Sequence, residues 1–302
     1  MNTLWRVRTA QGTFAVHRMR PRPGLAARCD AVLLVEQAAA RAGVALAPPV
    51  PDPRSGRAAV VLDDGHAVVV HGWIGAEPVD VDRSPPVLYR RLGASIARIH
   101  GLGVELPPSS ERSPSEADWH ELARAAARRG LPWAAGLDAA AAELVDALDT
   151  VDRWDRSSGE PTVPGHRDLT AANVLDLAGT PVLIDWEDAG SVAAGTELGR
   201  TALDNVGRDG TLDPVLLREL VQGYGEVRPI PPLGEHWCSL WVRGLVVFAE
   251  HCARSCVEGT ADAGLLRIQS LVVERTPMEL RRRLAAAPAY VEAFGKASRS
   301  SS

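Results

Sequence analysis

Polar and apolar residues alternate along the first part of the chain, over residues 3 to 9 and again over residues 13 to 19. A period of two is typical of a strand with one buried face, and the short turn at residues 10 to 12 brings the two runs side by side. The pattern therefore predicts a β-hairpin. The rest of the first 75 residues predicts one helix and two strands, at residues 31–42, 58–62 and 67–74.

Beyond residue 75 the apolar residues recur every three or four positions, which is the period of an amphipathic helix. Leu88, Leu92, Ile96 and Ile99 form one such stripe in a helix expected over residues 87–102. Ser115 predicts the N-cap of another helix, and an apolar run at residues 181–184, after a hairpin turn at Gly179, predicts a strand. The remaining helices are predicted at residues 134–153, 213–225, 236–257 and 264–286.

Together these elements predict an α+β fold with two lobes. Residues 1–75 are expected to form a small antiparallel β-lobe, and residues 76–296 a larger, mostly helical lobe. A chain of 302 residues is long for one compact core, which agrees with two lobes. The Ser-rich segment 297–302 is expected to be a disordered tail.

Composition and charge narrow the choice of partners. Hydrophobic residues make up 46% and charged residues 24% of the chain, which is typical of a soluble globular protein. The net charge of −5 gives no electrostatic reason to expect nucleic acid or an anionic membrane as a partner. No apolar run approaches the length that spans a bilayer, and the N-terminus lacks the pattern of a secretory signal. A cytoplasmic protein is expected, and nothing in the sequence indicates an oligomeric state.

The strongest chemical signal is a trio of polar residues around the strand at 181–184. Asp168 and Asn173 lie five residues apart in a loop, and Asp185 follows the strand. In phosphoryl transfer from a nucleotide, one carboxylate orients the acceptor hydroxyl and takes its proton, while an amide oxygen and a second carboxylate hold magnesium. The alternative is structural, with Asp168 as a helix N-cap and Asp185 as a turn carboxylate.

The sequence around this trio resembles that of the aminoglycoside phosphotransferase and choline kinase superfamily, whose fold is that of the protein kinases. Three segments are similar to family motifs, namely His166 to Asn173, Ile184 to Gly190 and Leu92 to His100. The resemblance extends from about residue 3 to about residue 255. It implies ATP or GTP as the donor, Mg²⁺ as the cofactor, and transfer to a hydroxyl of a small-molecule acceptor.

The resemblance also implies roles for individual residues of the loop. Asp168 would be the catalytic base, Asn173 and Asp185 would hold Mg²⁺, and His166 would brace the loop against the strand that precedes Asp185. A direct catalytic role for His166 is a second reading. Arg167 stands where small-molecule kinases usually have glycine, and an arginine at this position is typical of protein kinases.

The nucleotide side departs from the family pattern. His17, followed by Arg18, stands where the family has a lysine that contacts the phosphates and pairs with a helical glutamate, here Glu36. The only lysine of the chain is Lys296. A nearby glutamate would favour the charged form of His17. The loss of one such fixed charge costs about 2–4 kcal/mol of transition-state stabilisation.

Other parts of the nucleotide and acceptor sites follow from the same resemblance. Only two residues precede Thr3, so the first strand and the phosphate-covering loop do not fit. Either Met1 is not the true start, or these parts are missing and the small lobe is truncated. The segment around His71 and Trp73 resembles the hinge that binds the base. Acidic side chains that could line an acceptor pocket, or equally be solvated charges and caps, are Glu187, Asp188 and Glu197.

Three functions agree with these observations. The first is an ATP-dependent O-phosphotransferase acting on an aminoglycoside-like antibiotic or another metabolite. The second is a pseudokinase that serves as a binding or scaffold subunit, which the histidine at position 17 favours. The third is a kinase for a peptide Ser or Thr in a natural-product pathway, which Arg167 favours weakly and which would give the chain a peptide or protein partner.

Overall fold

A computed structural model of the chain describes residues 3–104, 106, 113–208, 211–259 and 263–299. Its helices are α1 Leu25–Arg41, α2 Pro86–His100, α3 Glu116–Arg128, α4 Ala134–Ser158, α5 Ala194–Asn205, α6 Pro214–Gly225, α7 Ser239–Glu258 and α8 Ala263–Arg299. Its strands are β1 Thr3–Thr9, β2 Gly12–Met19, β3 Ala59–Val61, β4 Ala67–Gly72, β5 Glu77–Pro78, β6 Thr162–Gly165, β7 Val174–Leu177, β8 Thr180–Leu183, β9 Gly190–Ala193, β10 Gly207–Arg208 and β11 Thr211–Leu212. The α+β class, with a small N-terminal antiparallel sheet and a helical remainder, is confirmed.

The N-terminal sheet has the order β1-β2-β4-β3 and is antiparallel throughout. In the register of β2 and β4, His17 lies opposite Val69 and Ala15 lies opposite His71. Side chains two residues apart on a strand share a face, so His17 and His71 lie on the same face of the sheet. The register of this sheet therefore decides which predicted nucleotide residues meet.

The chain divides into two compact units whose boundaries differ from the predicted one at residue 75. One unit comprises Asn2–Ser109, Pro161–Pro231 and Ala293–Ser302, and it contains the N-terminal sheet together with the loop of Asp168. The other comprises Ser110–Glu160 and Pro232–Glu292 with Met1. Helix α8 reaches Arg299 and so includes the first three residues of the expected tail, while residues 300–302 lie outside the described residues.

In the first unit, helix α2 buries the predicted stripe and packs closely on α6. The four side chains of the stripe, Leu88 to Ile99, are fully buried. Gly93 allows the close approach, because a Cβ atom built there would lie 1.9 Å from the backbone oxygen of Leu220. Gly223 of α6 is the counterpart, with its Cβ position 1.8 Å from the oxygen of Arg90.

In the second unit, helix α3 begins at the predicted N-cap. The Ser115 hydroxyl accepts a hydrogen bond from the Asp118 backbone N–H, and the Asp118 carboxylate accepts one from the Ser115 N–H. This reciprocal capping box supplies partners for two N–H groups at the start of the helix. Trp119 and Leu122 then form part of the apolar face that this helix buries.

Candidate active site

The loop between β6 and β7 holds the residues of the strongest sequence motif. Strand β6 pairs with β9 from Thr162 to Gly165, and β7 and β8 form a hairpin that turns at Ala178 and Gly179. Both turn residues have positive φ, 51° and 79°, as a two-residue hairpin turn requires. The loop is thus fixed at both ends by strand pairing.

His166 lies at the start of the loop and has no exposed surface. Its Nε2–H donates to the backbone oxygen of Ile184 at 3.0 Å, which joins the loop to the residue before Asp185. Burial lowers the pKa of His166, and the ring packs on Trp186 at 4.6 Å between ring centroids. This is the contact expected of a bracing histidine.

Arg167 adopts a left-handed backbone with φ of 68°. That conformation costs a non-glycine residue about 1–2 kcal/mol, which explains why glycine is suited to this position. Two hydrogen bonds stabilise this backbone conformation. The Arg167 N–H donates to the Glu197 carboxylate, and the Arg167 carbonyl accepts from the Arg200 guanidinium at 3.1 Å. The Arg167 guanidinium reaches the backbone oxygen of Asp188 at 3.4 Å.

Asp168 is held by two side chains from different elements. The Arg200 guanidinium donates to its Oδ1 at 2.7 Å, and the Asn173 amide donates to its Oδ2 at 2.7 Å and to its backbone oxygen at 2.9 Å. Burial raises the pKa of Asp168 above its usual value, although the charge of Arg200 opposes that rise. The carboxylate is thus oriented while it stays 29% exposed.

Asn173 and Asp185 provide oxygen atoms that fit a divalent cation. Because the Asn173 Nδ2 is used on Asp168, its amide oxygen remains for another ligand. No residue that the structure describes donates a hydrogen bond to the Asp185 carboxylate, and the left-handed backbone of Asp185, with φ of 61°, turns the chain sharply after β8. Carboxylate and amide oxygens are the ligands that Mg²⁺ takes in proteins, so this pair fits the cofactor that the sequence implies.

A cavity of about 480 Å³ lies between the N-terminal sheet and this loop. Of the residues predicted to bind the nucleotide or the metal, it is lined by His17, Glu36, His71, Trp73, Asn173 and Asp185. Arg18 is not among its lining residues. Its side chain forms an ion pair with Asp64, as the alternation of β2 requires of a residue next to His17.

The expected pair of His17 and Glu36 is replaced by another pair. Glu36 binds His71, whose Nε2 lies 2.8 Å from its Oε1. Burial lowers the pKa of His17, and the charge of Asp185 only partly offsets this. The expectation that Glu36 would keep His17 charged therefore fails, because the β2–β4 register places a second histidine in front of the glutamate.

The backbone of the predicted hinge is partly used by the protein itself. The Gly72 N–H donates to the Pro48 oxygen at 2.8 Å, and the Trp73 N–H donates to the Thr13 oxygen at 3.0 Å. The next residue, Ile74, also lines the cavity. The Trp73 ring is covered by the Arg6 guanidinium at 4.7 Å.

The three residues expected at an acceptor pocket have different surroundings. Glu197 is 1% exposed and binds His100 Nε2 at 2.6 Å and the Arg167 N–H, so it is part of the buried framework and not a substrate contact. Glu187 lines the same cavity as His17 and Asp185, where burial and then the charges of Asp185 and Asp188 raise its pKa to about 7. Asp188 is half-buried beside Arg167.

Several residues that the sequence analysis did not assign support the loop. Arg200 orients Asp168, His100 binds Glu197 and the Tyr224 hydroxyl, and Asn205 donates to the Leu169 oxygen at 2.6 Å. Arg28 donates to the Glu187 and Ala189 oxygens. His100 closes one of the three motifs, which is a signal of its own, and Arg200 follows Glu197 by one helical turn.

Comparison with known proteins gives a family and a fold. The family described as the phosphotransferase enzyme family matches residues 2–236. A spectinomycin phosphotransferase, solved with ADP and spectinomycin, is 14% identical over 96% of this chain and 89% of that chain, with a TM-score of 0.67. A choline kinase from Streptococcus pneumoniae is 13% identical over 95% and 90%, with a TM-score of 0.59.

A third similar structure is a microcompartment-associated aminopropanol kinase, 18% identical over 95% of this chain and 93% of that chain, with a TM-score of 0.56. At these identities the solved structures show a shared fold. Comparison with curated proteins gave no significant sequence match. Among the described residues, no helix is both long enough and apolar enough to cross a membrane.

Proposed function

The chain belongs to the phosphotransferase enzyme family, and from that premise we propose that it transfers a phosphoryl group from ATP or GTP to a hydroxyl of a small molecule. One observation carries this proposal. Asp168 is oriented by Arg200 and Asn173, and Asn173 also lines the cavity in which Asp185 is open to a cation. The proposed base and the proposed metal ligands thus lie side by side, and in-line phosphoryl transfer uses both kinds of group.

The cavity beside the N-terminal sheet is the proposed nucleotide site. Its volume of about 480 Å³ lies in the usual range for small-molecule sites. The base would lie against Trp73 and Ile74, and the phosphates would point toward Asn173 and Asp185. Arg22, which precedes α1, and Arg28, in the first turn of α1, also line this cavity and would contribute positive charge near the phosphates.

The residues of the loop have distinct tasks in this proposal. Asp168 accepts the proton of the acceptor hydroxyl, and the hydrogen bonds from Arg200 and Asn173 fix the direction in which its carboxylate points. Asn173 and Asp185 would hold Mg²⁺, which when bound neutralises charge on the phosphate oxygens. His166 keeps the loop and the residue before Asp185 at a fixed separation through its bond to Ile184.

The acceptor class remains part of the proposal. The similar solved structures include kinases of spectinomycin, choline and aminopropanol, acceptors that each carry a hydroxyl and a positively charged nitrogen. An amino alcohol or aminocyclitol is therefore the first acceptor class to test. Asp188 places a carboxylate close enough to Asp168 to raise its pKa, and negative charge at this place agrees with a cationic acceptor.

A binding role without catalysis is the second candidate, and one observation favours it. The position of the phosphate lysine is occupied by His17, whose pKa burial lowers, so no permanent cation stands there. Such a protein would bind a nucleotide and turn it over slowly or not at all. The two candidates differ in turnover and agree in binding.

The test measures binding and turnover separately on the full chain. Titration calorimetry with ATP and GTP, with and without Mg²⁺, reports binding, and a coupled assay with a panel of amino alcohols and aminocyclitols reports transfer. The Asp168→Asn variant should bind nucleotide like the wild type while its turnover falls at least about a hundredfold. Asp138→Asn, in an exposed pair with His120, is the matched control and should behave as the wild type.

Each outcome has a separate meaning. Magnesium-dependent binding with transfer that Asp168→Asn abolishes supports the phosphotransferase. Binding without transfer to any acceptor supports the nucleotide-binding candidate. If no nucleotide binds at all, both candidates are refuted.

A further inference from the structure

Three potential metal ligands meet on the wall of the nucleotide cavity. They are His17 on strand β2, Asp185 after strand β8, and Glu187 in the turn that follows. One ligand atom from each lies within 4.8 Å of the other two. All three residues line the same cavity.

The fold aims these three side chains at one point from two directions. His17 comes from the N-terminal sheet, on the face that also carries His71. Asp185 and Glu187 come from the opposite wall, where the left-handed backbone of Asp185 begins a short 3₁₀ turn. Arg28 of α1 fixes that turn, because its guanidinium donates two hydrogen bonds, of 2.8 and 3.1 Å, to the backbone oxygen of Glu187.

The contacts of the neighbouring groups explain why His17 faces the two carboxylates. Glu36, the residue expected to pair with it, is bound to His71 at 2.8 Å. The chain has one lysine, Lys296, on helix α8, far along the chain from this sheet. His17 is therefore the residue that occupies the lysine position, and an imidazole is a metal ligand where an ammonium group is not.

The donor set discriminates between metals. A metal ion bonds to imidazole nitrogen and carboxylate oxygen at about 2.0–2.2 Å, so two ligands of one ion lie up to about 4.4 Å apart, and the observed cluster is within a small adjustment of that size. Mg²⁺ prefers oxygen ligands, whereas first-row transition metals accept imidazole nitrogen readily. One imidazole and two carboxylates leave further coordination positions for water or phosphate oxygens.

We propose that His17, Asp185 and Glu187 bind a divalent transition-metal ion, of the class of Mn²⁺, Co²⁺ or Zn²⁺, in preference to Mg²⁺. The ion would place a double positive charge where the family has the ammonium group of a lysine. The role of this metal in binding nucleotide phosphates rests on the proposed function. The binding of the metal itself does not depend on that function. The site shares Asp185 with the proposed magnesium pair, Asn173 and Asp185, and has His17 and Glu187 as its other two ligands.

The test uses Mn²⁺ as the probe and the full chain after removal of metals with a chelator, without nucleotide. Electron paramagnetic resonance of free Mn²⁺ gives the dissociation constant, and electron spin-echo modulation of bound Mn²⁺ detects a coordinated nitrogen. Protein labelled with ¹⁵N-histidine assigns that nitrogen to an imidazole without any substitution. We expect an imidazole coupling in the wild type, and Mg²⁺ at least about tenfold weaker than Mn²⁺ as a competitor.

Variants then identify the histidine. His17→Gln and His17→Lys should each lose the nitrogen coupling and bind Mn²⁺ at least about tenfold more weakly, and Glu187→Gln should weaken binding while keeping the coupling. His66→Gln, on the turn after β3 and outside the cavity, is the matched control and should change neither quantity. Circular dichroism checks that each variant folds.

The proposal is overturned if bound Mn²⁺ shows no histidine nitrogen, if the coupling disappears in His71→Gln but not in His17→Gln, or if Mg²⁺ competes as strongly as Mn²⁺. These results do not bear on the proposed function, which is measured by nucleotide calorimetry and transfer with Mg²⁺. If nucleotide binding fails while Mn²⁺ still binds through His17, the metal site stands and the phosphotransferase proposal does not. The isotope-labelled wild type decides the matter even where a variant fails to fold.

Discussion

Arg200 offers the sharpest test of how the loop is organised, because one side chain binds three groups. Its guanidinium donates to the Asp168 carboxylate at 2.7 Å, to the Arg167 backbone oxygen at 3.1 Å and to the Asp204 carboxylate at 3.2 Å. The side chain is 17% exposed. Arg200→Ala removes all three contacts, while Arg200→Lys keeps the charge and loses the planar fork.

The expected cost follows from these contacts. A hydrogen bond to a charged group contributes about 1.5–3 kcal/mol when buried, but Asp168 and Asp204 are 29% and 21% exposed and can bind water instead. We therefore expect Arg200→Ala to lower the free energy of unfolding by about 2 kcal/mol. Asn173 still holds Asp168 by its other oxygen, so we expect kcat/KM to fall about a hundredfold through misplacement rather than loss of the base.

The pH dependence separates this role from a purely structural one. Burial raises the pKa of Asp168 and the charge of Arg200 opposes the rise, so removing Arg200 raises that pKa further. The base is active when deprotonated, so the acidic limb of the kcat/KM profile should move to higher pH in Arg200→Ala and less in Arg200→Lys.

The assay is transfer to the best acceptor of the panel, or acceptor-independent nucleotide hydrolysis, with urea unfolding measured in parallel. Arg254→Ala is the control, because Arg254 pairs with Glu250 on the surface of α7 and should change stability by no more than about 0.5 kcal/mol. If Arg200→Ala keeps wild-type kcat/KM with an unchanged acidic limb, Arg200 does not position Asp168.

Three further predictions test the framework around the loop by chemical unfolding. Arg167→Gly should be about 1 kcal/mol more stable than Arg167→Ala, because both lose the guanidinium and only glycine relieves the left-handed backbone; equal stabilities would contradict the strain. Glu197→Ala should lose about 3–5 kcal/mol by leaving the Nε2 of His100 without its buried carboxylate partner, and a loss below about 1 kcal/mol would contradict that pairing. Burial alone would raise the pKa of Glu197, but the hydrogen bond and charge of His100, together with the Arg167 N–H, lower it. The stabilisation by Glu197 is therefore complete above a pH of about 4.3 and disappears as the pH falls through the lowered pKa. A urea series between pH 7 and pH 3 should show this loss as a slope that is absent in Glu197→Ala. Gly93→Ala should lower the free energy of unfolding by at least about 3 kcal/mol, because the new Cβ overlaps the α6 backbone. Gly136→Ala, with open space around it in α4, should be neutral or stabilising by up to about 1 kcal/mol. Similar results for both variants would refute the close helix contact.

Much of the fold was predictable because it follows from local sequence patterns. The alternation of residues 3–19 gives the hairpin of β1 and β2, and the stripe from Leu88 to Ile99 gives the buried face of α2. The start of α1 at Leu25, six residues before the predicted start, was missed because Gly24 and the prolines before it obscure the period. The extent of α8 to Arg299 was missed because composition, and not periodicity, indicated a tail there.

The site was predictable as a set of residues but not as a set of contacts. The spacing of Asp168, Asn173 and Asp185 reflects the local turn of the loop and the strand that follows, so the sequence alone indicated that they act together. Tertiary structure decided the partners, since Glu36 meets His71 instead of His17, and Glu197 is buried against His100.

The sequence by itself thus determined the class of fold, the loop that carries Asp168 and Asn173, and the absence of a lysine at position 17, because each depends on residues close together in the chain. Only the tertiary structure decided what His17 faces and what holds Asp168. His17 is separated from Asp185 by 168 positions, and Asp168 from Arg200 by 32. Strand register and helix packing set those encounters, and neither is written in the local pattern.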